Sequence, residues 1–336
     1  MQGYIQKADD AADTLKEVYL LSMEELDKEV QKLFKTFQTK HGLTEKEARD
    51  LLKKVRSDYE LRTLIRELEK NPKNRDLVAE LEAQAYSYRI KHLEALERQI
   101  STITVAIATS EEARFTSVLT DIANEAYLRS IFNLQQRVGV AWSYRALSED
   151  KVKRILDQPW YGSNYSERIW ANREYLAKEV KNEVMTGILT GRPVHKTTRA
   201  IQDKMQSCYY NAWRLMRTET AHVANTLHKE AYEDTEVKKY IYVATLDNRT
   251  SKICRMLDGK TFKVSEAKTG TNYPPMHPNC RSTTIAWMPE ELMQRLTRRA
   301  KAVKDGRIQN IEVPATMRYK EWYEKYGREL ARYEAN

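Results

Sequence analysis

The sequence predicts an α+β protein that is mostly helical, with a long N-terminal helical region followed by a C-terminal domain that holds a small β-sheet and a candidate zinc knot. Apolar residues recur at helical spacing through most of the chain before residue 232. A short, alternating and β-rich run follows at 239–245. With 10 glycines and 8 prolines in 336 residues, little of the chain suits flexible linkers.

The chain is expected to divide into four regions. They are an N-terminal helical arm or bundle at 1–110, a central helical and basic region at 111–210, an α+β domain at 211–288, and a basic C-terminal tail at 289–336.

Three helices are predicted in the N-terminal region. Residues 4–40 carry one apolar stripe, and Thr44 then opens a second helix with a capping box. Pro72 interrupts the pattern, and a third helix begins near Arg75 and runs to about Ser101 or beyond. Each helix has one apolar face and one face dense in Lys and Glu. That pattern fits a bundle with a solvated outer face, and it also fits an arm that docks on a larger protein.

The central region continues the helical spacing to about residue 138. Ser148 is predicted to cap a short helix, and Ser166 to start a longer one that stops at Gly191. From Lys151 to Arg217 there are 13 Lys and Arg against 6 Asp and Glu. Basic side chains mixed with Trp and Tyr can hold nucleic-acid phosphates and stack bases, although a charge excess spread over helices also suits a solvated face.

One more helix and three strands are predicted in the α+β domain. The helix spans 211–232, and the strands lie at 239–245, 260–264 and 281–287. Four polar residues within two turns of this helix are expected to fix the helix to the strands. The competing interpretation is an active site built around two of these residues. These residues are Arg217, Glu219, His222 and Asn225, and the active-site interpretation rests on Glu219 and His222.

The tail after residue 289 is basic at its start, with six Lys or Arg and one acid from Arg295 to Arg307. An extended segment is expected beyond Gly306, followed by a final helix that begins near Tyr319. Such a tail suits a clamp on a partner or on packaged DNA, and equally a solvated terminal helix.

A metal site is predicted from two cysteines and one histidine. Cys254 is followed after 22 residues by His277, and Cys280 comes three positions later. Thiolate and imidazole are the usual ligands of structural Zn²⁺, which takes four of them. Asp247 is the nearest candidate for the fourth ligand, and His222 is a more distant one. The competing interpretation is a pair of small buried thiols.

Several motifs in the same region resemble one known family. They are RTETAHVAN from Arg217, D-x-R-T from Asp247, then Cys254, LDGK-x-F from Leu257, and PP-x-HPNCR from Pro274. In this order they are similar to the phage head morphogenesis family, the minor head proteins of the phage Mu protein F type, over about residues 120–290. The resemblance implies a virion component inside the head near the portal, needed for assembly or DNA delivery.

The first functional hypothesis is therefore a non-enzymatic minor head protein of a tailed phage. Its expected partners are the portal protein, the major capsid or scaffolding protein, and packaged DNA, with no membrane. Its expected location is the virion interior, and the host cytoplasm during assembly.

The second hypothesis is a zinc-dependent enzyme that acts on nucleic acid. A net charge of +9 fits either one, and three cysteines argue against a disulfide framework. The N-terminus lacks the pattern of a signal peptide, and no apolar run is long enough for a membrane span.

Overall fold

The computed structural model of the protein describes residues 1–36, 84–139, 141–142, 145–190 and 192–335. The predicted second helix, from Thr44, and the interruption at Pro72 lie outside these residues.

Long helices dominate the first two-thirds of the described chain, as predicted. They are α1 (Gln2–Thr36), α2 (Gln84–Val138), α3 (Glu149–Asp157), α4 (Tyr165–Thr190) and α5 (Val194–Asp234). The third predicted helix and the central apolar stripe are one continuous helix, α2. The predicted cap of α3 is confirmed, because the Ser148 side chain accepts from the Lys151 N–H. The helix predicted at 211–232 begins earlier, directly after Pro193.

The described residues form two compact units, each assembled from separate parts of the chain. The helical unit contains Ala12–Arg114 and Ser166–Ala212. The mixed unit contains Met1–Ala11, Phe115–Tyr165 and Trp213–Asn336.

Apolar stripes from α1, α2, α4 and α5 form the core of the helical unit. This burial confirms the stripe predicted for the first helix, since the residues at helical spacing are those removed from water. The buried residues include Tyr19, Leu26, Val30, Leu33, Leu96, Ile100, Ile107, Leu176, Val180, Val184, Ile201, Met205 and Cys208.

One carboxyl group lies within this apolar core. Glu111 on α2 is 2% exposed, and the Tyr19 hydroxyl donates to its Oε1 at 2.5 Å. Burial raises the pKa of Glu111 from its ordinary value of 4.5 to about 7, and the hydrogen bond from Tyr19 opposes that rise. The folded protein therefore binds this proton more tightly than the unfolded chain does.

Glu111→Gln is expected to stabilise the helical unit at pH 8 and to change little at pH 4. The contribution of the wild-type carboxyl to stability is fully present below about pH 4.5 and is lost as the pH rises through about 7. The shift corresponds to about 3 kcal/mol. Urea unfolding from pH 4 to pH 8 measures the difference, with Asp203→Asn on the exposed surface of α5 as the control. Parallel pH profiles for wild type and Glu111→Gln would contradict the raised pKa.

A three-stranded antiparallel sheet is the centre of the mixed unit. Its strands are β1 (Lys239–Val243), β2 (Thr261–Lys263) and β3 (Thr283–Ala286), in the order β2-β1-β3. These are the three predicted strands, and the short helix α6 (Lys252–Leu257) lies between β1 and β2 in sequence. Tyr240 and Tyr242 of β1 are fully buried.

The C-terminal tail of the mixed unit is folded. After the short helix α7 (Glu290–Met293), strands β4 (Thr297–Lys304) and β5 (Arg307–Pro314) form an antiparallel hairpin. Helices α8 (Tyr319–Trp322) and α9 (Arg328–Ala335) follow, separated by a π-helical turn at Tyr323–Gly327.

Trp322 attaches the terminal helices to the hairpin. It is fully buried with Leu246, Ala300 and Val313, and its indole N–H donates to the Lys301 carbonyl at 2.9 Å. The segment expected to be extended is β5, and a strand at β4 was not predicted.

None of the helices in the described part of the chain has a stretch apolar enough to span a bilayer.

Candidate metal centre

Cys254, His277 and Cys280 converge in the structure. Cys254 lies on α6, and the other two residues lie in the loop that leads into β3. The sulfur of Cys254 is 3.4 Å from Nε2 of His277 and 3.8 Å from the sulfur of Cys280. All three ligand atoms lie within 4.8 Å of one another, and both cysteines are buried. The cluster could therefore hold a metal ion.

Two of the three distances among these atoms are close to those of tetrahedral zinc. Zn–S and Zn–N bonds of about 2.3 and 2.0–2.1 Å place two sulfurs about 3.8 Å apart, and a sulfur and a nitrogen about 3.6 Å apart. The distances from the Cys254 sulfur, 3.8 and 3.4 Å, are close to both values. Two thiols and one imidazole are also ligands that zinc prefers over calcium or magnesium.

His277 is oriented as a metal ligand usually is. Its Nδ1 lies 2.8 Å from the Pro278 carbonyl, to which it can only donate, so Nε2 is left with a lone pair that faces the thiols. Ser251, the N-cap of α6, places its hydroxyl 2.8 Å from the same Nε2. A backbone carbonyl that fixes the imidazole in this way is a common support of zinc-binding histidines.

The pKa values of the three groups are shifted in different directions. A hydrogen bond from the Cys280 thiol, followed by bonds from His277 and Ser251, lowers the pKa of Cys254 well below its ordinary range. The bond to Cys254, together with burial, raises the pKa of Cys280. The bond to Cys254 also raises the pKa of His277. Cys254 is therefore the thiol that loses its proton most readily, and a metal that binds here would displace the proton of Cys280.

Asp247 is held outside this cluster. Its carboxylate accepts from both terminal nitrogens of the Arg281 guanidinium, one of them at 2.8 Å, and from Thr250 Oγ1 at 3.1 Å. Asp247, the candidate fourth ligand, is thus bound by Arg281, and the Asp247–Arg281 ion pair is mostly buried. Among the described residues no fourth Cys, His, Asp or Glu joins the three. The fourth position is open to Ser251 or to a water.

His222, the more distant candidate, lies in a different environment. Its ring stacks on Trp160 with centroids 4.2 Å apart, and the Trp160 indole N–H donates to Glu219 at 2.8 Å. Glu219 and His222 therefore belong to an aromatic contact of α5 rather than to the metal cluster.

Asn225, one of the four polar residues predicted to fix α5 to the strands, connects the helix to the metal loop together with Thr218, which was not predicted. Thr218 Oγ1 accepts from the Asn279 N–H at 3.0 Å. The Asn225 amide accepts from Thr283 Oγ1 at 3.1 Å and donates to the Ser282 carbonyl at 3.3 Å. These bonds hold the segment from Asn279 to Thr283 against one helix.

Two contributors to the site were not found from the sequence. Ser251 precedes α6, where its role as an N-cap was the available signal. Tyr242 is buried in β1 and its hydroxyl donates to the Cys254 sulfur at 3.3 Å. A tyrosine in a β-rich run gives no sign of such a contact.

The predicted basic region is partly compensated by acids. Five of its side chains form ion pairs in the described structure, which leaves less free positive charge for phosphates than the sequence count suggests. The pairs are Lys151–Glu230, Lys181–Glu97, Arg192–Glu183, Lys204–Glu179 and Arg217–Asp9.

Comparison with known proteins finds a family model that matches the segment containing this site. Residues 178–285 match the family model described as Phage Mu protein F like protein, and the match includes all three members of the cluster. The segment is therefore similar to the Phage Mu protein F-like family, as the motifs predicted, and the match supports a phage head-related protein.

Two curated relatives match about half of the chain. One, named NAD(+)--arginine ADP-ribosyltransferase EFV, from Enterococcus faecalis, is 28% identical over 178 residues, which are 48% of this chain and 36% of the relative. The other, an uncharacterized protein of Haemophilus influenzae, is 25% identical over 49% of this chain and 33% of its own length. The alignments thus span about a third of each relative, and the name of the first describes that whole protein. No solved structure matches the chain.

Proposed function

We propose that the protein is a minor head protein of a tailed bacteriophage that acts in head morphogenesis, inside the head near the portal. The observation that carries the proposal is the family match over residues 178–285. The portal protein and the major capsid or scaffolding protein are the proposed partners, and packaged DNA is a further one. The role is non-enzymatic and extends to DNA packaging or delivery.

In this proposal the cluster of Cys254, His277 and Cys280 binds a structural zinc. The ion would join α6 to the loop before β3, and so would fix the part of the mixed unit that has the fewest large apolar side chains. The sulfur and nitrogen spacing given above supports zinc in particular.

The position of the chain in purified particles tests the proposal. Mass spectrometry of purified heads is expected to find the chain, and chemical cross-linking is expected to connect it to the portal protein. Its absence from heads that contain their other structural proteins would contradict the assignment.

A zinc-dependent enzyme acting on nucleic acid is the alternative, and the open fourth position of the cluster is the observation that favours it. We expect purified protein to leave DNA intact in the presence of Zn²⁺ or Mg²⁺, since no fourth Asp or Glu joins the cluster among the described residues. Gel electrophoresis after prolonged incubation measures this. Cutting that requires metal and is lost in a folded His277→Ala variant would favour the enzyme instead.

A further inference from the structure

An apolar groove lies in the mixed unit, where the three-stranded sheet meets the segment between β5 and α8. Its volume is 720 Å³, which falls within the range of about 300–1,000 Å³ that is usual for binding sites. Ile241 of β1 and Thr261 of β2 line the groove from the sheet. The segments that follow β3 and β5 supply its other walls, so the groove is built from three separate parts of one unit.

The side chains around the groove are of the kinds that protein interfaces favour. Three methionines line it, and methionine is an adaptable apolar residue that is common at binding surfaces. They are Met288, Met293 and Met317. Trp287 lines the groove as well, and it is 50% exposed. A large ring that lies half in water beside other apolar side chains marks an interaction surface, and tryptophan is among the residues that contribute most to binding energy.

Two cations border the groove, and neither forms an ion pair with any residue that the structure describes. The ammonium of Lys239 lies 5.9 Å from the centre of the Trp287 ring. Arg318 lines the groove, and its guanidinium lies against Gly259, where a Cβ would collide with it. Among the described lining residues the one acid is Glu321, whose carboxylate already accepts from the Arg318 N–H at 2.8 Å. The border of the groove therefore carries an excess of positive charge.

We propose that this groove binds an acidic segment of a partner protein that also carries large apolar side chains. The apolar side chains of the segment would fill the space beside Trp287 and the three methionines, and its carboxylates would lie toward Lys239 and Arg318. Charge complementarity of this kind favours an acidic segment and disfavours a basic one. Burial of the exposed half of Trp287 would supply much of the affinity, because a large ring removes much apolar area from water. This binding does not depend on a role in a phage head.

Methyl NMR and fluorescence anisotropy of the full-length protein test the proposal. The probe is a short, terminally blocked peptide of alternating leucine pairs and glutamate pairs, labelled with a fluorophore for the anisotropy measurement. The peptide is expected to shift the methyl resonances of Met288, Met293 and Met317. The methyl resonances of Met205 and Met216 are expected to stay unchanged, because both side chains are fully buried on α5 and do not line the groove.

Two substitutions test the apolar and the charged contacts separately. Trp287→Ala is expected to weaken binding of the peptide at least about tenfold, and Phe132→Ala, which removes an equally exposed ring from α2, is the matched control. Arg318→Gln is expected to weaken binding about tenfold, and Arg328→Gln on the exposed surface of α9 is its control without effect. Urea unfolding of each variant checks that the mixed unit stays folded.

Several results would overturn the proposal. One is equal binding of a peptide with lysine in place of glutamate, and another is unchanged binding of the peptide by Trp287→Ala. A third is a shift of methionine resonances outside the groove while the three that line it stay unchanged. If those three shift with protein concentration in the absence of peptide, a second copy of this chain occupies the groove instead.

Discussion

Cys280→Ser is expected to abolish zinc binding and to unfold the part of the mixed unit around α6 and the loop before β3. The wild-type protein should carry about one zinc per chain, and the variant should carry none, because a hydroxyl is a poor substitute for a thiolate ligand. Structural zinc contributes about 10–16 kcal/mol in isolated zinc-finger peptides. The mixed unit also has other apolar clusters. Cys280→Ser is therefore expected to lower its free energy of unfolding by a smaller amount, on the order of 5 kcal/mol.

Elemental analysis and urea unfolding measure the two parts of this prediction. Cys208→Ala is the matched control, because Cys208 is also a fully buried free cysteine but lies in the core of the helical unit. It should keep the zinc and should cost only about 1 kcal/mol, from the small cavity. His277→Ala should lose the metal as Cys280→Ser does. A wild-type protein that is metal-free and fully folded would contradict the structural role.

Much of this site could be predicted because it depends on local patterns. The short spacing between His277 and Cys280 brings two ligands together within one loop, whatever the rest of the fold does. Cys254 lies 23 and 26 positions before them, and the strand between, β2, was visible in the sequence. The helices were predictable for the same reason, since a period of 3.6 residues repeats over many turns in α1 and α2.

The fourth ligand could not be predicted because it depends on which charges meet in three dimensions. Asp247 is close to Cys254 in sequence, and a carboxylate can bind zinc. Arg281 directly follows Cys280 in the sequence, and in the fold its guanidinium donates to the carboxylate of Asp247. The carboxylate is therefore bound by Arg281 and does not join the metal cluster. Asp247 and Arg281 are 34 residues apart, so no local pattern shows their contact.

The hairpin strand β4 was missed because its buried face is small and its charged residues obscure the alternation. Only Ala300 and Ala302 alternate as buried apolar residues, and Arg298 on the same face is charged. A buried arginine is acceptable there because it has a partner elsewhere in the chain. That partner is Asp258, at the C-terminus of α6.

Asp258→Ala is expected to cost about 3–5 kcal/mol and to release the hairpin and α8 from the C-terminal end of α6. The carboxylate of Asp258 accepts from the Ala244 N–H and the Tyr319 N–H, both at 2.8 Å. It also accepts from both terminal nitrogens of Arg298, at 3.1 and 3.2 Å. The Asp258 side chain is 1% exposed and that of Arg298 is 10% exposed. Removing the Asp258 carboxylate therefore leaves the buried Arg298 guanidinium without this partner. It also leaves the buried N–H groups of Ala244 and Tyr319 without their acceptor.

Urea unfolding gives the loss of stability, and hydrogen exchange shows where it occurs. Exchange should rise most in β4 and around Tyr319, because Arg298 and the Tyr319 N–H are the groups that lose their acceptor. Asp121→Ala, at an exposed position of α2 in the same unit, is the control and should stay within about 0.5 kcal/mol of wild type.

A double-mutant cycle with Arg298→Met separates the ion pair from the backbone contacts of Asp258. The two changes together should cost less than the sum of the single changes by about 1–3 kcal/mol, since the second no longer strands a buried charge. If the costs add, Asp258 acts through the N–H groups of Ala244 and Tyr319 alone. If Asp258→Ala costs less than about 1 kcal/mol, the tail is held by the apolar core around Trp322 and not by this carboxylate.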